Sequence, residues 1–427
     1  MIAVSGDGTR IRWQKRHTVM LLCFMAAFIC YMDRVSISIA VVAMQEQYGY
    51  SETTKGLILS SFFLGYCLFQ IPSGYLANRF GGRLTLGLAV LIWSVFTIIT
   101  PFAAMTSIPV LIAARIGMGL GEAALMPGVF NLYSRWIPQN ERSRAVSFVL
   151  SGVPTGTVFA LLSAGLIVAA WNWPALFYVF GGFGIIWVVI WFARIHPTPA
   201  QHPTISEAER TLLADVGQKP VNVPDSIPWR ALAFKPPLIA IFINTFCCNW
   251  TMFVLLAWLP SYLVKSQDFG IVGAGFYSAL PWLIMFVVIN LAANLADRMI
   301  AGGKSVTFVR KLMQTVGMLG SALFLILAAG GWLLGPVLSM CGAIGMLAFT
   351  FAGYAPNTLD VAPRYADVLA GITNTIGTLP GVFGVAITGW LVQQTGTFGS
   401  AFAIAAGLNI VAAIVWLLFA TGKKVVD

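Results

Sequence analysis

The sequence predicts an all-α membrane protein of twelve transmembrane helices arranged as two pseudo-symmetric six-helix bundles. Three observations carry that prediction. The 427 residues are 58% hydrophobic and 9% charged, with mean hydropathy +0.84, whereas soluble domains carry roughly 25% charged residues. The apolar residues fall into twelve runs, each near the ~20 residues of helix that a hydrocarbon core of about 30 Å requires. The longest polar segment, residues 195–236, then divides those runs six and six.

The predicted spans are 18–44, 54–77, 84–104, 108–133, 144–170 and 174–194, then 237–264, 272–296, 308–330, 332–354, 367–393 and 398–421. An even number of spans puts both termini on one side. All but Lys55, Lys265, Arg34 and Arg115 of the 25 lysines and arginines fall on that side, so it is expected to be cytoplasmic. The net charge of +10 is thereby a topogenic pattern and not a nucleic-acid footprint. About sixteen residues precede the first span without a small-residue cleavage site, so that span is expected to be kept as structure in a cell (inner) membrane. The domains expected are 1–195 and 237–427, joined by a proline-rich linker over 196–236 in which ISEAERTLLADV (205–216) is a candidate surface helix. Internal echoes support two halves. GYLANRFGGR (74–83) follows span two and ANLADRMIAGGK (293–304) follows span eight, while Gly152 and Gly156 in span five match Gly377 and Gly381 in span eleven. Spacing of this kind lets helix backbones approach closely in lipid. Pro127, Pro260, Pro281 and Pro380 interrupt spans and are candidate bends.

Charges inside the spans are few, and each is expensive at that depth. Span one carries Asp33 and Arg34, and span four carries Arg115 and Glu122, seven residues apart or about 10.5 Å in rise. Contact between those two within one helix is unfavourable, so both are expected to look across to span one. Two cations and two carboxylates sum to zero. A visiting anion drawn by Arg34 or Arg115 would leave an uncompensated negative charge in a low-dielectric cavity unless a carboxylate took up a proton or a cation entered with it. Structural ion pairing is the plainer alternative, but buried pairs often add little stability over apolar isosteres.

The second half has no deep charge. It offers Asn244, Asn249, Thr251, Tyr277, Asn357, Thr373, Asn374 and Thr378, many of which are expected to be interhelical hydrogen bonds. Asp360 and Asp367 lie near the membrane edge with Arg364. All six cysteines lie in apolar runs and read as small core residues without disulfides or a metal site. The three histidines lie in polar segments. No GxxxxGK[ST], HExxH, GxSxG or paired CxxC occurs, so neither direct ATP drive nor an enzyme is expected, and no cofactor is called for.

The layout, together with GYLANRFGGR, YMDRVSISIAVVAM (31–44), ARIGMGLGEAALMPGV (114–129), SRWIPQNERSRA (134–145), FCCNWTMFVLLAWLPSY (246–262) and NTLDVAPRYADVLAGITNTIGTLPG (357–381), resembles the major facilitator superfamily. Within it, the chain is similar to the anion:cation symporters: vesicular glutamate, sialic-acid, sodium/phosphate and plastid phosphate transporters, with bacterial sugar-acid symporters as cousins. The resemblance implies a monomeric secondary transporter working by alternating access on a small anionic solute, a sugar acid or other carboxylate, coupled to protons. Sodium-coupled phosphate transport is the alternative within the class, and a non-transporting membrane sensor the alternative outside it. It implies anion binding by Arg34 and Arg115, proton coupling by Glu122 with Asp33 as a second site, and a solute cavity near Tyr31, Tyr66, Gln70, Asn249, Trp250 and Asn374. Gating at the cytoplasmic loops would fall to Asn78, Arg79, Arg83, Arg142, Arg144 and Asp297. Two departures stand out. Asn78 replaces the usual acidic residue of the loop after span two, and Cys248 stands where the glutamate transporters carry a further arginine.

Overall fold

The computed structural model describes residues 13–214, 228–330 and 335–426. Its helices are α1 (Lys15–Tyr48), α2 (Glu52–Phe80), α3 (Gly82–Thr106), α4 (Ile108–Glu122), α5 (Leu125–Trp136), α6 (Arg142–Ala170), α7 (Trp173–Arg194), α8 (Glu207–Leu213), α9 (Trp229–Phe234), α10 (Pro236–Gln267), α11 (Ile271–Ala301), α12 (Val306–Gly330), α13 (Pro336–Leu347), α14 (Thr350–Val361), α15 (Ala366–Thr395) and α16 (Gly399–Phe419). Among the described residues twelve segments are long and apolar enough to cross a membrane, with α4 and α5 forming one span and α13 and α14 another. Helix starts follow the local chemistry. Ser51 accepts the Thr54 amide at 3.1 Å, and Asn172 accepts the Ala175 amide at 3.1 Å beside Pro174.

The two halves echo each other in backbone as well as sequence. The loops after α2 and α11 turn on Gly81 (φ 83°) and Gly303 (φ 87°), conformations that a Cβ disfavours. The fourth span of each half is broken near its middle, at Ala123–Ala124 and at Ala348–Phe349. In each case a proline lies shortly after the break and lacks the N–H that would satisfy the carbonyl four residues back. Ser73 of α2 donates to the orphaned carbonyl of Ala123 at 3.1 Å, and Arg310 of α12 donates to that of Ala352 at 3.1 Å. Side chains from neighbouring helices thus make broken helices tolerable at membrane depth. Pro127 is among the bends expected from sequence, whereas the matching break in span ten, ahead of Pro356, has no counterpart among them.

Small residues set the closest approaches. Gly152 and Gly156 of α6 lie against the backbone of Phe24 and Phe28 in α1. Of the matching pair, Gly377 lies against Thr245 and Asn249 of α10, but Gly381 faces Phe63 of α2, across the boundary between halves. Gly119 of α4 is tighter still: a Cβ there would lie 2.1 Å from the Phe62 carbonyl oxygen. Gly119→Ala is therefore expected to force α2 and α4 apart and cost about 1–3 kcal/mol, read as a lowered midpoint of thermal unfolding in detergent.

The halves meet unevenly along their length. At the face opposite the termini, Gly56 of α2 abuts Gly389 of α15, and Gly165 of α6 abuts Ile271 and Val272 of α11. Lys265 bonds Glu52 there at 3.0 Å, Lys55 donates to Gln45 at 2.8 Å, and the Glu52 amide donates to Gln393 at 2.8 Å. Toward the terminal face the contacts stop. A Cβ on Gly74 or Gly371 would meet nothing within 4 Å, and Asn374 is exposed. Among the described residues the last bond between α2 and α15 on that side is Thr375 to Gln70 at 3.3 Å. The molecule is closed at the distal face and parted at the terminal face.

The linker docks rather than dangles over its described part. Ser206 caps α8, and buried Glu209 accepts the Lys15 amide at 3.0 Å and the Arg16 amide at 2.9 Å, placing a carboxylate on the α1 N-terminus. The helix expected over 205–216 is realised as Glu207–Leu213, with residues 215 and 216 outside the described residues. Asp360 pairs with Arg310 at 2.8 Å, tying α14 to α12.

Candidate functional site

Arg34, on α1, and Glu122, the last residue of α4 before its break, meet at the core of the first half. Both Nε and Nη2 of Arg34 donate to one oxygen, Glu122 Oε2, at 3.0 and 2.8 Å. The Cys30 thiol, one turn before Arg34, donates to the same oxygen at 3.1 Å, leaving Oε1 without a partner. The Arg34 guanidinium also lies over the rings of Tyr31, Phe62 and Tyr66, at 4.5, 4.8 and 5.0 Å from their centroids. Such contacts hold a desolvated guanidinium in place without neutralising it. Tyr31 and Tyr66, both expected in the cavity, are thus part of the cluster.

Arg115 shares the Phe62 ring, 5.3 Å from its centroid, and is 1% exposed. Its Nη1 reaches the Met118 sulfur at 3.1 Å, its Nε is unpartnered, and no carboxylate lies within 4.0 Å of it among the described residues. Of the two span-four charges expected to look across to span one, Glu122 bonds Arg34 directly, while Arg115 shares a cavity with Arg34, Ile37 and Ser38 without an ion pair among the described residues. Asp33 is fully buried, and neither of its oxygens has a hydrogen-bond partner. Adjacent helix residues point in different directions. So Arg34 faces the interior of the bundle, while Asp33 has Trp93 of α3 among its neighbours.

Arg34 and Arg115 line one cavity with Ile37, Ser38, Leu59, Phe62 and Phe63 of the first half and Leu256 and Ala257 of the second. Its volume is about 20 Å³, room for about one water. A solute reaching both arginines must therefore come with movement of the surrounding helices. Among the described residues lining it the charged groups are these two guanidiniums, of which Arg34 is paired with Glu122 and Arg115 has no ion-pair partner.

The expected second-half contacts fare differently. Asn249 donates to the Gly377 carbonyl at 2.9 Å, and Trp250 packs beneath Gly384. Asn374 is exposed on the parted side, and Gln70 holds Thr375 with its own Nε2 unpartnered. None of these lines the closed void. Asn244 ties α10 to α16 and accepts from Gln314, and Thr251 bonds Asn409, as expected of interhelical hydrogen bonds. Cys248 pairs with Thr350 at 3.3 Å.

The six loop residues expected to gate are bonded within their own half or exposed. Asn131 donates to Asn78 at 3.4 Å and Arg79 to Tyr75 at 3.2 Å. Arg83 donates to the carbonyls of Phe192 and Ile195, and Arg142 to those of Ser134 and Ile137. Arg144 and Asp297 are exposed. No ion pair joins the halves at the terminal face among the described residues, in contrast to Lys265–Glu52 at the distal one.

Several members of the cluster were not singled out from sequence. Cys30 read as core packing, although its position four residues before Arg34 puts it on the same helix face. Phe62 and Met118 carried no signal beyond hydrophobicity. The Glu52–Lys55–Lys265 group was legible only as two lysines on the minority side.

Residues 23–385 match the Major Facilitator Superfamily. The chain is 42% identical over 419 residues to an ascorbate transporter, chloroplastic, of Arabidopsis thaliana, covering 97% of this chain and 77% of that protein. It is also 42% identical over 416 residues to the sodium-dependent phosphate transport protein 1, chloroplastic, of the same plant, covering 97% and 80%. Among solved structures, a D-xylose-proton symporter superposes with a TM-score of 0.74 at 17% identity, over 96% of this chain and 99% of that one. A bundle with two broken fourth spans, parted at one face and closed around buried arginines, is therefore a membrane transporter: the chain belongs to the major facilitator superfamily, among its anion:cation symporters.

Proposed function

We propose that the protein carries a small organic anion, a sugar acid or other carboxylate, across the membrane together with protons. One observation carries the reading: Glu122 occupies both donors of Arg34 beside a void that Arg115 also lines. A substrate carboxylate that engages Arg34 in bidentate fashion takes the place Glu122 now holds. The displaced carboxylate is fully buried. It is tolerable there once it gains a proton, and so loses its charge, as the anion arrives. Asp33, buried without a partner, is the second proton acceptor. Tyr31 and Tyr66 flank the bound solute, and Gln70, Asn249 and Asn374 reach its far end as the parted face closes.

Alternating access would then exchange the distal closure around Lys265 and Glu52 for a closure at the terminal face. Asn78, Arg79, Arg83, Arg142, Arg144 and Asp297 stand where that second closure would form. The excess of lysine and arginine on the terminal face supports cytoplasmic termini; a cell (inner) membrane and a single chain as the working unit complete the reading.

The Arabidopsis relative named for sodium-dependent phosphate transport favours one rival. Purified protein in liposomes separates the two. Uptake of hexonate, hexuronate or ascorbate driven by an acid exterior at constant sodium is the expected result. Phosphate accumulation that needs a sodium gradient at constant pH supports the rival instead. Exchange that responds to neither gradient removes the coupling.

A further inference from the structure

On the terminal face, away from the central void, the ends of α1 and α7 and the start of the linker enclose a cavity of about 260 Å³. It is lined by Lys15, Thr18, Ala193, Arg194, His196, His202, Pro203 and Thr204. That is room for several waters. Two cations and two imidazoles converge on it, and no carboxylate lines it. Glu209, on the linker helix α8, has both oxygens committed to the Lys15 and Arg16 amides, and Glu141 is paired with Arg16 at 3.0 Å. Neither Lys15 nor Arg194 forms an ion pair with a carboxylate among the described residues.

The backbone acceptors at the end of α7 are already occupied. The carbonyls closing α7 accept from Arg83, and the His196 carbonyl accepts the Trp136 indole N–H at 3.0 Å. One imidazole has a defined tautomer and the other an unpartnered ring nitrogen. His202 Nδ1 accepts the Thr204 amide at 3.2 Å, so its proton sits on Nε2, and its ring is wedged against Trp136 and His196. His196 Nδ1 is buried with no partner. The Thr18 hydroxyl accepts the Trp13 indole N–H at 2.9 Å, which frees its own proton for a ligand. Like charges gathered around an empty cavity repel, and an anion with several acceptor oxygens relieves that repulsion at once.

We propose that this cavity is a second anion site, built for a phosphate group, that clasps the linker to the first half. The phosphate comes either from solution or from an anionic phospholipid headgroup, since exposed Trp13 marks a membrane-interface position beside it. The site is independent of the transport reading and its failure leaves that reading untouched.

The chain's three histidines make a direct test possible. Full-length protein with isotope-labelled histidine is placed in phosphatidylcholine nanodiscs and titrated with inorganic phosphate. A second preparation contains phosphatidylglycerol and no phosphate. The His196 and His202 ring resonances are expected to shift saturably in at least one preparation, while His17, whose Nδ1 is held by the Gln14 amide, stays put. A shift confined to the first arm identifies the soluble anion, and a shift in the second identifies the headgroup. The double variant Lys15→Gln, Arg194→Gln is expected to raise the phosphate midpoint about tenfold or more, as loss of charge-assisted bonds requires. An unmoved His17 resonance and an unchanged unfolding midpoint in that variant report an intact fold. No shift in either arm, an equal shift of all three histidines, or an unchanged midpoint in a folded double variant overturns the proposal.

Discussion

A Glu122→Gln protein is expected to exchange anion across liposomes at equal pH while losing the ability to concentrate it against a pH gradient. Glutamine keeps the shape of the side chain that now meets Arg34 and Cys30 but can neither carry the negative charge nor take up the proton. In the native protein the incoming anion competes with Glu122 for Arg34, so its affinity rises as pH falls. In the variant Arg34 has lost its competitor, and affinity becomes high and flat with pH. One coupled proton is worth ~1.4 kcal/mol per pH unit, which is about tenfold in accumulation. The variant forfeits that factor for every unit of gradient imposed. Asp33→Asn, made in parallel, tells whether a second proton moves, since Asp33 is buried off the void and touches neither arginine within 4.0 Å. If Glu122→Gln liposomes still concentrated the anion as the native protein does, Glu122 would not be the coupling group.

The spans and the two halves were legible because their signals are local. Long apolar runs, a basic bias on one side and repeated loop motifs need no tertiary information. The limits of legibility show at particular residues. Span ten was expected to stop at 354, where NTLD turns the sequence polar, yet α14 runs on to Val361 because Asn357 and Asp360 find partners in Thr421 and Arg310. The break after Glu122 falls at two alanines, good helix formers. Its cause lies ahead at Pro127 and across at Ser73, a residue on another helix. Similarly, Asp33 and Arg34 are neighbours in sequence, and the charge count alone treated them as a unit. Their α-helical setting turns one into the void and the other away from it. The partner of Arg34 was fixed by how α1 meets α4. Asn249 could be either a solute contact or an interhelical hydrogen bond from sequence, and the approach of α15 places the Gly377 carbonyl against it.

That same asymmetry between paired and unpaired charges makes the two arginines separable by experiment. Arg34→Gln removes the sole ion-pair partner of a fully buried carboxylate, a change that costs ~3–5 kcal/mol in comparable buried pairs. Arg115→Gln removes a buried cation that has no carboxylate within 4.0 Å among the described residues, so no group loses an ion-pair partner. Its unfolding midpoint without substrate is expected to stay level or rise. Its affinity for the anion is expected to fall about 10- to 150-fold, the equivalent of ~1.5–3 kcal/mol for lost hydrogen bonds to charge. Arg115→Lys keeps the charge but not the planar fork, so it should recover only part of that loss. Substrate-induced thermal shifts measured beside counterflow give both quantities on one preparation. A purely structural Arg115 predicts the reverse pattern, a lowered midpoint with affinity unchanged. Stability that holds while binding collapses is what a positive charge held ready in an empty void requires.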